Sequence, residues 1–136
     1  MITALDTSVL LDVFGADPSF GSHSREALRS CIAQGRLVAC EVVWTEVATF
    51  FPSPGAARTA MEHVGSDFSP ITLEAALEAS KAWKAYRKQG GQRTRVAADF
   101  LIGAHALCQA DRLLTRDRGF YRSYFKRLTI VDPTSP

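Results

Sequence analysis

The stretch ITALDTSVLLD, Ile2 to Asp12, decides how the chain is read. Ile2 to Leu5 reads as a short buried strand, Asp6 ends it, and Thr7 to Phe14 follows as a helix with little room for a loop between them. A strand that passes directly into a helix opens a βαβ unit. The acid at the junction needs a reason, because a carboxylate buried without a partner shifts its pKa or costs several kcal/mol.

The same pattern recurs along the chain. VVWTEV, Val42 to Val47, sets Glu46 in an otherwise apolar or aromatic segment with one hydroxyl beside it, VAADFLIGAHAL embeds Asp99, and RLLTRD ends on Asp117. Four such acids point to one shared site.

The remaining elements alternate. Asp17-Pro18 marks a break, and Ser22 or Ser24 is a candidate cap for a helix running to about Gln34, where Gly35 stops it. Leu37 to Cys40 is a second apolar strand. Glu41 to Phe51 reads as a helix ended by Pro52 and Pro54, and helix resumes from about Gly55 to Val64. Phe68 to Ile71 is a candidate third strand, followed by LEAALEASKAWKAYRKQ, which combines strong helix formers with helical apolar spacing and ends at Gly90-Gly91. Val96 to Gln109 is apolar nearly all round, the mark of a buried helix. Arg112 to Thr115 and Leu128 to Val131 supply the last two strands. Short apolar strands alternating with helices predict an α/β fold, a three-layer α/β/α sandwich around a parallel sheet of about five strands.

At 136 residues the chain has the length of one domain, 1–136, with a sizeable core. An apolar content of 46% and a charged content of 22% are close to the globular average and make disorder and coiled coil poor readings. No stretch approaches the apolar length of a membrane span, and Met1 leads into a strand without a basic leader or apolar h-region, so a cytoplasmic location is expected. Cys31, Cys40 and Cys108 show no CxxC or Cys/His spacing and are expected to be reduced core residues.

The net charge of +2 hides a clustered distribution. Lys81, Lys84, Arg87, Lys88, Arg93 and Arg95 fall in one stretch without an acid, and Arg112, Arg116, Arg118, Arg122, Lys126 and Arg127 crowd around Asp117. Together they hold 12 of the 16 basic residues, a distribution suited to a polyanion. Arg93, Arg95, Arg116 and Arg118 are the candidate RNA contacts. For either cluster alone, a solvated helix face with ordinary C-terminal charges is the better account.

In open parallel sheets, ligands sit beyond the carboxyl ends of the strands where strand order reverses. Asp6 ends strand one, Asp117 follows the strand from Arg112, Glu46 lies about one and a half turns into the helix after strand two, and Asp99 sits in the first turn of the helix leading to strand four. Four carboxylates in one pocket raise one another's pKa, a conflict that a divalent cation resolves. Oxygen-only donors favour Mg²⁺ or Mn²⁺ over zinc. Such an ion activates water for attack on a phosphodiester, and two ions roughly 3.5 to 4 Å apart clamp both the attacking and leaving oxygens.

The ordered set LDTSVLLD, VVWTEV, AADFLIGAHAL and LLTRD resembles the PIN-domain ribonucleases, most closely the VapC-type toxins of bacterial and archaeal toxin–antitoxin modules. The resemblance runs from Ile2 to about Val131. It implies that Asp6, Glu46, Asp99 and Asp117 are the catalytic, metal-binding acids of a Mg²⁺-dependent endoribonuclease acting on structured RNA, tRNA or ribosomal RNA. Thr115 matches the hydroxyl residue of the family's TxD segment, and Thr7 and Ser8 match the residues after the first acid. The resemblance further implies a homodimer and a cognate VapB-like antitoxin whose tail occludes the pocket. Some relatives carry another acid after the TxD segment; here Arg118, Gly119 and Phe120 stand there, so a second metal is expected to be weakly held or absent. Asp12 is expected to face solvent.

Three of the four acids also have a structural reading, Asp6 as a helix cap, Asp99 as a helix-dipole partner and Asp117 as a turn residue before Gly119, whereas nothing in helix capping explains Glu46. Four coincidences at one sheet edge explain less than one site does. His105 reads as a core histidine, and Trp83 and Tyr86 as a packed or dimer-forming face rather than base-stacking residues. Two rivals belong to other classes. A receiver-type signalling domain needs paired acids after strand one, a central phosphoacceptor Asp and a late Lys, none of which is present, whereas a catalytically inactive RNA-binding module keeps the basic flanks and most acids.

Overall fold

The computed structural model describes residues 1–91 and 97–134. In chain order the elements are β1 (Ile2–Leu5), α1 (Thr7–Phe14), α2 (Gly21–Ala33), β2 (Arg36–Ala39), α3 (Glu41–Phe50), α4 (Pro54–Val64), β3 (Ser66–Phe68), α5 (Leu73–Lys88), α6 (Ala97–Gln109), β4 (Arg112–Leu114), α7 (Arg118–Tyr124) and β5 (Ile130–Val131). The five strands form one parallel sheet in the order β3-β2-β1-β4-β5. The chain winds outward from β1 to β3, then returns to the other side of β1 with β4 and β5. Right-handed crossovers then place α1 to α4 on one face and α5 to α7 on the other, which gives the expected sandwich.

Both faces of the sheet are covered, and the strand residues are correspondingly apolar. Ala4, Leu5, Leu37, Val38, Leu113 and Leu114 are buried, and the helices add Val9, Leu10, Val43, Val47, Met61 and Phe100. At the amino ends of the strands, the Ile2 amide donates to Asp111 Oδ2 at 2.6 Å and the Asp111 amide to the Ile2 carbonyl at 2.8 Å. Gly35 brings the chain from α2 into β2 so closely past Met1 that a Cβ there would stand 1.8 Å from the Met1 carbonyl oxygen.

Three elements differ from the sequence reading. β3 starts at Ser66 instead of Phe68, because Gly65 takes a left-handed conformation (φ 84°) and turns the chain straight out of α4. It ends early because the Ile71 amide is captured by the Glu41 carboxylate at 2.9 Å. β5 is confined to Ile130–Val131, since the Leu128 amide bonds back to the Phe125 carbonyl in a turn. Between them, α7 occupies residues read as connecting chain. Among the described residues no helix is long and apolar enough to cross a membrane. Cys31 and Cys40 are buried free thiols as expected, whereas Cys108 is only partly covered.

Candidate functional site

β1 and β4 are neighbours, and they are the strands at which the winding reverses. Their carboxyl ends therefore open on the one crevice that this topology provides. Asp6 follows β1 with its amide bonded to the Leu114 carbonyl at 3.1 Å, so the first acid is pinned to the end of β4 by backbone alone. Its carboxylate accepts a hydrogen bond from Thr115 Oγ1 at 2.7 Å, and the Tyr121 hydroxyl stands 3.4 Å from the same oxygen. Thr115 Oγ1 in turn accepts the Asp117 amide at 2.9 Å. One threonine thus ties the first acid to the last.

Asp6 is 7% exposed, and its pKa is pushed up to about 6. Burial is the main cause. The Thr115 hydrogen bond opposes it, and the charges of Asp99 and Asp117 add to it. Asp99 reaches this neighbourhood from the first turn of α6, and Asp117 from the residue before α7.

Glu46 joins from α3, half-buried, where its Oε1 accepts the Thr7 hydroxyl at 2.7 Å. Thr7 is the first residue of α1, next to Asp6. The apolar setting that the sequence suggested for Glu46 is real on one side only, since Val43 and Val47 are buried while Thr45 is exposed. Glu46 therefore lies on the side of α3 that meets the start of α1.

Other residues fall outside the pocket or play different parts. Asp12 does not face solvent: it is 4% exposed and accepts from Ser24 Oγ at 2.8 Å, from Arg116 Nε at 2.7 Å and from Arg116 Nη2 at 2.9 Å. Arg116, expected as an RNA contact, is consequently committed to Asp12, and its guanidinium also lies 4.1 Å from the centre of the Phe20 ring. The reason is position: Asp12 lies within reach of the residue after Thr115, and a buried carboxylate takes the nearest fork-shaped donor. Arg118 opens α7 half-exposed, with Nε 3.5 Å from Asp132 Oδ2. Arg93 and Arg95 lie outside the described residues. His105 is buried and within 2.9 Å of Ser69 Oγ, a core histidine as expected. Tyr86 is packed, while Trp83 stacks on Phe100 and stays partly exposed.

Tyr121 was missed by the sequence reading. Its signal lay in RGFYRSYF, where Phe120, Tyr121, Tyr124 and Phe125 recur at helical spacing.

Among the described residues no group of three or more His, Cys, Asp or Glu side chains is gathered as a ready-made ligand set. The donor chemistry still fits a hard divalent ion. All the candidate donors are oxygens, and the first of them, Asp6, is made reluctant to ionise by burial and by two further acids.

An acidic crevice at the switch point of a five-stranded parallel sheet defines a class of α/β domain, and the comparisons agree with it. The PIN domain family matches residues 3–126, and the chain belongs to that family. Among curated proteins, none matches. Solved structures share the fold. VapBC-1 from nontypeable Haemophilus influenzae is 21% identical, with a TM-score of 0.76 over 99% of this chain and 100% of that one. VapBC2 from Rickettsia felis, bound to a DNA fragment from its promoter, is 14% identical, with a TM-score of 0.76 over 97% and 98%. VapC20 from Mycobacterium tuberculosis, a sarcin-ricin loop cleaving toxin, is 14% identical, with a TM-score of 0.62 over 89% and 94%.

Proposed function

We propose that this chain is a Mg²⁺- or Mn²⁺-dependent endoribonuclease, the toxin of a toxin–antitoxin pair, that hydrolyses a phosphodiester in a structured RNA. The observation that carries the reading is Asp6: a buried carboxyl at the switch point, opposed by Asp99 and Asp117 and held by Thr115. A protein that needed only a stable core would gain from an apolar residue there. Asp6, Glu46, Asp99 and Asp117 would hold the ion, with Thr115 orienting Asp6 and Thr7 orienting Glu46. When bound, the ion lowers the pKa of water and stabilises charge on phosphate. The chain's own part is to fix the acids before RNA arrives, so that little reorganisation is left for the reaction. The sarcin-ricin loop toxin of the same fold supports ribosomal RNA as the substrate class, with tRNA the other candidate. The VapBC complexes of the same fold support a VapB-like antitoxin as partner, and we extend the reading to a homodimer acting in the cytoplasm.

The test is cleavage of ribosomal RNA and tRNA by the purified chain with Mg²⁺, Mn²⁺ or EDTA. Cleavage is expected with either metal and none with EDTA, and Asp6→Asn is expected to abolish it. Glu46→Gln removes repulsion, so in EDTA it should melt at or above the wild-type temperature, while its metal-induced rise shrinks. RNA binding without cleavage in any metal would replace the reading with an inactive binding module.

A further inference from the structure

We propose that Asp12 and Arg116 form a positioning clamp for Asp117, so that Arg116 serves the metal-binding acids through the backbone instead of serving RNA through its charge. The proposal rests on the reading of those acids as metal ligands. It starts from a run of three residues after β4, each tied to something different. Thr115 donates to Asp6, Arg116 reaches into α1, and the Asp117 amide bonds to Thr115 Oγ1. Arg116 is the middle of the three, so its side chain fixes the direction in which the chain leaves the strand.

The anchor is built on both sides. Asp12 accepts hydrogen bonds from two guanidinium nitrogens, Nε and Nη2, and from Ser24 Oγ. The Phe20 ring under the guanidinium is itself placed by Asp17, whose Oδ1 accepts the Ser19 amide at 2.9 Å and the Phe20 amide at 2.8 Å. The Asp17 amide closes the turn on the Asp12 carbonyl, also at 2.9 Å. A planar fork that is stacked and bidentate in this way cannot be replaced by an ammonium. At the other end of the lever, Asp117 precedes α7 with an irregular backbone (φ −95°, ψ 52°) and makes no side-chain capping bond to that helix. Arg116 directly precedes Asp117, so the clamp fixes the backbone from which its side chain leaves, and through α1 it also connects to Thr7, which holds Glu46.

Charge alone predicts the opposite of the clamp, and this makes the test sharp. Removing a cation whose charge acts on Asp6 should tighten a divalent ion electrostatically. If Arg116 positions Asp117, Arg116→Ala should instead weaken Mn²⁺ binding by about 10- to 100-fold, the usual effect of losing an outer-shell partner. Mn²⁺ affinity would be measured by titration, and exchange of the Asp117 amide by NMR in EDTA, for the wild type, Arg116→Ala, Arg116→Lys and Asp12→Asn. All three variants should bind Mn²⁺ more weakly and exchange that amide faster, with Arg116→Lys giving no rescue. Arg112→Ala is the control for stability. It removes the bond to Thr3 Oγ1 at the far end of β4, and should lower the melting temperature while leaving Mn²⁺ affinity unchanged.

Tighter or unchanged Mn²⁺ binding by Arg116→Ala would overturn the clamp. So would weakened binding without faster Asp117 exchange. If Arg116→Ala instead lowers only RNA affinity and Asp12→Asn lowers nothing, Arg116 is a phosphate contact. A wild-type protein that binds no Mn²⁺ overturns the metal reading itself, and the exchange rates in EDTA then decide on their own whether Asp12 and Arg116 order Asp117.

Discussion

Burial shapes two ionisable residues here in opposite directions. Desolvation pushes the Asp6 pKa up to about 6, whereas it lowers that of His105, against a smaller opposing pull from the Glu41 charge. A histidine with a depressed folded pKa favours the neutral form. Its contribution is complete above the unfolded value of about 6.5 and is lost as pH falls from there toward the folded value. Asp6 works the other way, since ionising it destabilises the fold as pH rises through about 4 to 6. The wild-type curve therefore mixes the two, and a difference curve against His105→Gln isolates the histidine. Below pH 6.5 the wild type should lose stability faster than His105→Gln, which keeps a hydrogen-bonding group near Ser69 Oγ. Parallel curves from pH 7.5 to 5 would show that His105 does not titrate with folding. At this scale the four candidate acids stood out in the sequence because each interrupted or ended an apolar run. Asp12 did not, because its partner lies 104 residues away and no local pattern announces it.

Among the elements, those bounded by backbone chemistry were legible. Asp6 to Thr7, Gly35, and Pro52 with Pro54 marked junctions that the structure keeps within a residue or two. Where a side chain takes over a backbone group, local reading fails: Glu41 ends β3 by capturing the Ile71 amide, and no propensity encodes that. α7 escaped notice because its seven residues include four polar or glycine positions, and its aromatics pack against neighbours from distant sequence. The tightest junction carries a prediction. In Gly35→Ala the new methyl would meet the Met1 carbonyl, which also accepts the Arg36 amide at 2.9 Å, so relief breaks a ladder bond. The expected cost is about 2 kcal/mol, or roughly 5 to 10 °C in melting temperature. An unchanged melt would mean that the start of β1 can shift freely.

On the scale of the whole molecule, the parallel sandwich followed from the alternation of strands and helices, whereas the strand order, with β1 beside β4, rests on long-range pairings that no local pattern announces. The charge pattern invites a separate test. Lys84, Arg87 and Lys88 are exposed along the last turns of α5. If RNA runs along that face, replacing all three with Ala should flatten the slope of log affinity against log salt by about 2. The same slope at lower affinity would place the phosphates elsewhere.

The central pairing of β1 with β4 also sets an order of events. Asp6 and Thr115 touch across a sequence separation of 109 residues, and so do Ile2 and Asp111. Contacts this distant form slowly, because most of the intervening chain must be ordered first. During synthesis from the amino end, Asp6 waits through α1 to α6 without its partner. No fragment that stops before β4 can assemble the crevice, so a ribosome making this chain meets the finished pocket only after β4 and the residues behind it have been translated.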